Sequence, residues 1–210
     1  MDLSIISIII NTVLSVLTIT VAVIALFQTH KQVNISNKQS LFKERTNAFI
    51  QLSSLMEIYG GNKSFVDDSE EIPELTFHLL ANNKMLESIV EVVYNPLKNK
   101  EQNNFLIKME DLRALSTEVS LLWECEEAIV ASQFILSYVQ ILLNLYRQAI
   151  SISNFKKATT RLNLSEFKKV VKESAEKTGL NKATKDIALL HTQMIEKDVL
   201  NVLKEQIKLK

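Results

Sequence analysis

Residues 3–27 contain no charged side chain and are dominated by Ile, Val and Leu. At 1.5 Å rise per residue such a stretch forms a helix of roughly 37 Å, enough to cross a hydrocarbon core of about 30 Å with some tilt. A cleaved leader is a poor alternative. Only Met1 and Asp2 precede the run, there is no basic residue ahead of it, and Ala22-Val23-Ile24-Ala25 is a weak cleavage site. A chain of this length is also too short to bury so apolar a helix in a soluble core. The stretch is therefore expected to be a retained transmembrane anchor, residues 1–27.

Orientation follows from the flanking charges. Lys31, Lys38, Lys43 and Arg45 follow the run, while only Asp2 precedes it. Basic residues resist translocation, so the N-terminus is expected outside and everything after the anchor in the cytoplasm. Within the anchor, Ser4, Ser7, Asn11, Ser15, Thr18, Ala22 and Ala25 recur every three or four residues, which gathers small and polar side chains on one helical face. Such a face suits close approach of a second helix, from another copy or another membrane protein, with the remaining faces turned to membrane lipid. Ser and Thr hydroxyls that bond back to their own helix would give the same pattern without a partner.

Beyond the anchor, a juxtamembrane stretch at 28–40 is polar but lacks Gly and Pro, so the anchor helix is expected to continue through it as a stalk. Residues 41–210 suit one all-α domain, a cytoplasmic helical bundle. Three Gly and two Pro in the whole chain leave little punctuation for β-turns, and one cysteine excludes an internal disulfide. Residues 28–127 carry 10 Lys and Arg against 16 Asp and Glu; residues 128–210 carry 14 against 7. Without aromatic or arginine clusters, the basic half reads as solvated helix surface rather than a nucleic-acid face.

The apolar spacing divides this domain into helices. Phe42, Phe49, Leu52, Leu55, Met56 and Tyr59 mark one face, ended by Gly60-Gly61. Residues 62–71 read as an acidic loop, with Asp68 or Ser69 capping a helix that has Pro73 in its first turn. That helix is expected over about 72–94, with Leu75, Leu79, Leu86, Ile89, Val90 and Val93 inward, and is stopped by Asn95-Pro96. The longest pattern covers about 103–151, straight or broken, and its first half is amphipathic, with Phe105, Met109, Leu112, Leu115, Val119 and Leu122 on one face. Asn163 and Glu166 have capping-box spacing, Gly179 suits a helix C-terminus, and a last helix is expected over about 182–209.

Residues 128–146 raise the main ambiguity, because nineteen residues pass without a charge. Gln133, Ser137, Gln140 and Asn144 form a polar stripe through them, and spanning here would translocate Arg147 and the lysines that follow. The segment is expected to be the central helix of the bundle, with Trp123, Phe134 and Tyr138 filling the core. The alternative is a second membrane segment whose stripe lines a pore-like path in an oligomeric effector.

Catalytic chemistry finds no support. None of His30, His78 and His191 is followed three or four residues later by Cys, His, Asp or Glu, and no Arg is followed four to six residues later by His, as helical ribonucleases of the HEPN type require. Cys125 sits in a run of carboxylates, a poor setting for a nucleophile. No phosphate-binding glycine loop occurs. No catalytic residue, metal or cofactor is expected, and the chain reads as a non-enzyme.

The anchor, polar stalk and a helix opening with Leu41-Phe42-Lys43-Glu44-Arg45 and continuing to Phe49 and Leu52 resemble bacterial and prophage-encoded single-span membrane proteins with a cytoplasmic helical domain. Some of those accompany phage defence or superinfection exclusion. The resemblance implies a bacterial inner-membrane protein, in keeping with the Lys-, Asn- and Ile-rich composition of an AT-rich genome, that works as an interaction or scaffold module.

Overall fold

The computed structural model describes residues 3–67, 72–158 and 164–207. All regular structure among them is helical. The helices are α1 (Leu3–Gly61), α2 (Lys63–Asp67), α3 (Pro73–Leu80), α4 (Asn99–Leu122), α5 (Glu126–Ala158), α6 (Leu164–Thr178), α7 (Leu180–Glu196) and α8 (Val199–Glu205), with a 3₁₀ segment at Glu87–Val93. The chain divides into two compact units, residues 3–43 and 44–207.

The first unit is the N-terminal part of α1. Neither Gly nor Pro interrupts the chain before Gly60, so each backbone N–H can find its i−4 carbonyl, and the polar stretch 28–40 is helical. From Asn11 to Lys43 every side chain is exposed.

The second unit is a helical bundle built around α5, which packs against α3, the 3₁₀ segment, α4, α6, α7 and α8. The remainder of α1 contributes Ala48, Leu52, Leu55 and Tyr59 to the core at spacings of four, three and four. Phe42 was expected on that inward face; it is 40 % exposed, and the face begins instead at Ala48. The amphipathic face of α4 is where the spacing puts it, with Phe105, Met109, Leu112, Leu115 and Val119 buried. Rings from separate elements meet in the interior. Phe105 lies 4.6 Å from Tyr146 and 6.0 Å from Phe77, and Tyr59 meets Phe134 edge-on at 6.0 Å.

Several expected helices are divided. The helix expected over 72–94 stops at Leu80, because Asn83 offers the backbone a competing partner: its Oδ1 accepts the Leu86 N–H at 2.7 Å and opens a turn before the 3₁₀ segment. Leu75, expected inward, is consequently 44 % exposed, while Phe77, Leu80 and Ala81 are buried. The capping residue of α3 is Ile72, with Pro73 in the first turn; Asp68 and Ser69 lie outside the described residues. The acidic loop begins with a short helix, α2. The pattern over 103–151 breaks at Trp123, whose backbone is extended (φ −128°, ψ 122°). The last helix breaks at Asp198, in the left-handed region at φ 50°. Gly179 does end α6, at φ 72°, where a side chain is strained. Asn163, half of the expected capping box, lies outside the described residues.

Candidate membrane segment and bundle surface

Within residues 11–27 the large apolar side chains stand 45–73 % exposed, from Val23 at the low end to Phe27 at the high end. Two helices are long and apolar enough to cross a membrane, and burial separates them. The most apolar window of α1 is 0 % buried, whereas that of α5 is 67 % buried. Two thirds of the α5 window is covered by protein; none of the α1 window is covered among the described residues.

On the small-residue face of α1, the Ser15 hydroxyl donates to the Asn11 carbonyl at 2.8 Å and the Thr18 hydroxyl to the Leu14 carbonyl at 2.8 Å. Both groups are thereby satisfied within the helix, and each oxygen keeps acceptor capacity for a neighbour. Asn11, Ala22 and Ala25 are exposed beside them. The side chains of Ser4 and Ser7 lie outside the described residues. Below the apolar run, Lys31, Lys38 and Lys43 are exposed, and the His30 ring is 3.2 Å from the Asn34 amide.

Arg45 behaves differently from those lysines. Its Nε donates to the Leu122 carbonyl at 2.9 Å, one of its terminal nitrogens donates to the Gln206 carbonyl at 2.9 Å, and the guanidinium lies 5.9 Å from the Trp123 ring centre. Leu122 is the last residue of α4 and Gln206 follows α8, so one planar cation satisfies carbonyls that two helix C-termini leave without intrahelical donors. Trp123 completes the junction, its indole N–H donating to the Leu203 carbonyl at 3.2 Å. This role was not visible in the sequence, where Arg45 reads as one more flanking charge.

The polar stripe of α5 divides in two. Gln133 and Gln140 are exposed and Ser137 is half-buried, while Asn144 is buried. Gln140 Nε2 donates to Asn144 Oδ1 at 2.8 Å, which ties the two halves together. Gln133 and Ser137 line a shallow groove between α5 and α7 with Leu136, Leu189 and Gln193.

The bundle interior holds three titratable side chains of note. Burial pushes the Tyr59 phenol up to about 12, with Asp67 adding to it, and its hydroxyl has no hydrogen-bond partner among the described residues. Burial also raises Tyr138, whose hydroxyl donates to the Leu80 carbonyl at 2.6 Å. His191, 4.9 Å from the Tyr59 ring, is held below its ordinary value, first by burial and then by the nearby Lys63 charge. His78 is exposed, and Cys125 is half-buried at the α4–α5 break. Among the described residues no group of three His, Cys, Asp or Glu side chains is placed to hold a metal ion.

These features define an all-helical protein with an N-terminal helix that is a candidate membrane span. No family model matches the chain, and neither a curated protein nor a solved structure shows significant similarity to it.

Proposed function

We propose that the chain is a single-pass membrane protein of a bacterial inner membrane. Residues 3–27 are the anchor, and the helical bundle after it is a cytoplasmic module that acts by protein–protein contact. The observation that carries this reading is the contrast in burial. Ten large apolar side chains between Val13 and Phe27 are about half or more exposed, while the other long apolar segment, within α5, is two-thirds buried in the core. Side chains so disposed are stable in hydrocarbon and unstable in water, at roughly 25 cal/mol per Å² of apolar surface.

Lys31, Lys38 and Lys43 support a cytoplasmic bundle and an external N-terminus. The face carrying Ser4, Ser7, Asn11, Ser15, Thr18, Ala22 and Ala25 supports association of anchors, as a homo-oligomer or with another membrane protein. A role in phage defence or exclusion rests on the resemblance at residues 41–52. The pore-like alternative has to withdraw residues 128–146 from the bundle, and with them Phe134, Ile135, Tyr138 and Leu142, each fully buried. Withdrawal would open the rest of the bundle core to water and carry Gln133, Gln140 and Asn144 into lipid, which favours the interaction module.

The location of the C-terminus tests the reading. A cytoplasm-active fluorescent reporter fused after Lys210 should be bright in a bacterial host, and a periplasm-active phosphatase at the same place inactive. The reverse result would sink the proposed topology. A second fusion after Asn99 then tells an inverted anchor from a span at 128–146.

A further inference from the structure

The last helix, α8, is only seven residues long. A helix of that length does not hold itself together in water, so α8 is helical only while it is docked. Its docking is modest. Val199 and Leu203 are fully buried and Leu200 and Ile207 half-buried, while Asn201, Lys204, Glu205 and Gln206 are exposed. Nor does α8 continue α7. Asp198 stands between them at φ 50° and ψ 39°, the one non-glycine residue with positive φ among the described residues. The hydrogen-bond ladder of α7 ends with the Lys197 N–H on the Gln193 carbonyl at 3.0 Å, and that of α8 starts with the Asn201 N–H on the Asp198 carbonyl at 3.1 Å. The Asp198 carboxylate turns forward as well, accepting from Asn201 Nδ2 at 2.8 and 3.0 Å. Backbone order is thus interrupted at a single residue, and α8 can leave the bundle as a unit without unwinding α7.

What holds α8 down comes from far away in the chain. The Trp123 indole N–H donates to the Leu203 carbonyl at 3.2 Å, and Arg45 donates to the Gln206 carbonyl at 2.9 Å. The two donors lie together, with the guanidinium 5.9 Å from the Trp123 ring centre, and the Arg45 Nε is itself fixed on the Leu122 carbonyl. A hydrogen bond from a charged donor is the stronger kind, so Arg45 contributes more to this attachment than the indole does. The catch on the C-terminal segment is therefore carried by α1, the same helix that begins with the candidate membrane span. We propose that α8 is a strap that opens about Asp198, and that Arg45 sets how often it opens. Opening uncovers the indole edge of Trp123, which is 1 % exposed while the strap is docked. This device goes beyond the interaction-module reading and holds whichever way the chain is oriented.

The test is amide hydrogen exchange, read by mass spectrometry on the full chain in detergent micelles at several low denaturant concentrations. In the parent chain the α8 amides should exchange ahead of those of α7, and at a rate that denaturant hardly changes, because a local opening exposes little surface. Arg45→Met keeps the aliphatic stem and removes the charge and the donors. It should speed α8 exchange roughly tenfold or more, leave α7 exchange unchanged and make Trp123 more accessible to acrylamide quenching. Arg45→Lys keeps the charge but lacks the planar fork that reaches two carbonyls at once, so it should speed α8 exchange by less; it carries the test if Arg45→Met does not fold. Exchange of α8 in step with α7 in the parent chain would show that no separate strap exists. Unchanged α8 exchange in the Arg45 variants, or equal acceleration of α8 and α7, would overturn the role of Arg45 as its catch.

Discussion

Two buried tyrosines differ in a way that free energies should reveal. Tyr138 gives its hydroxyl to the carbonyl of Leu80, which α3 leaves without an intrahelical donor; Tyr59 has no acceptor among the described residues. Removing the Tyr138 hydroxyl strands a buried carbonyl and should cost about 1–2 kcal/mol, whereas removing that of Tyr59 ends an unmet desolvation and should leave stability within about 0.5 kcal/mol or raise it. Denaturant unfolding of Tyr138→Phe and Tyr59→Phe, followed through the single tryptophan in detergent, distinguishes them. His191 supplies a pH dependence. Its folded value lies below the unfolded one, so the unfolded chain binds more protons at mildly acid pH. The stability it contributes is present above about 6.5, declines as pH falls through that value toward the folded one, and levels off below. His191→Phe fills the same place beside Tyr59 and Phe134 and should flatten this decline between pH 7 and 5. An unchanged slope would mean that other groups cause it.

At the scale of elements, the bundle depends on where helices stop. Gly179 joins α6 to α7 at φ 72°, with no atom near enough to obstruct a Cβ. The penalty of a side chain there is therefore conformational. Gly179→Ala should cost about 1–2 kcal/mol, and Gly179→Asn less, because asparagine tolerates the left-handed region. Equal stability of the alanine variant and the parent would show that the α6–α7 joint relaxes. This joint was legible in the sequence, since glycine after an amphipathic run is a local signal. The break at 123–125 was not. It contains neither Gly nor Pro, and it is held by the Trp123 indole on the Leu203 carbonyl and by Arg45 on Leu122, contacts between residues 80 and 77 positions apart. Asn82-Asn83 lies between: asparagine pairs favour turns, but only the bond from Leu86 to the Asn83 side chain shows that this one ends the helix.

For the whole molecule, association of anchors is the property to measure. Asn11 and Ser15 lie one turn apart on the small-residue face, and their replacement by leucine keeps the segment apolar while removing the polar pairing and the close approach. Asn11→Leu with Ser15→Leu should leave membrane integration intact and reduce cross-linking between chains in the bilayer, by a contact worth about 1–2 kcal/mol. Unchanged cross-linking would assign association to other surfaces.

The sequence by itself determined the charge-free length of residues 3–27, the helical class, the inward face of α4 and the glycine joint at 179. Each follows from properties summed over neighbouring residues: apolar spacing, helix propensity, the missing Cβ of glycine. Tertiary structure alone decided the fate of α5 and of Arg45. Residues 128–146 are apolar enough for either lipid or a core, and it is the tertiary structure that packs other helices around them. Arg45 reads as a membrane-flanking charge, and only the fold shows that the ends of α4 and α8, 77 and 161 positions away, bring carbonyls to it. No local pattern encodes such a meeting, because the carbonyls carry no side-chain signature and their need for a donor arises only when the helices end there.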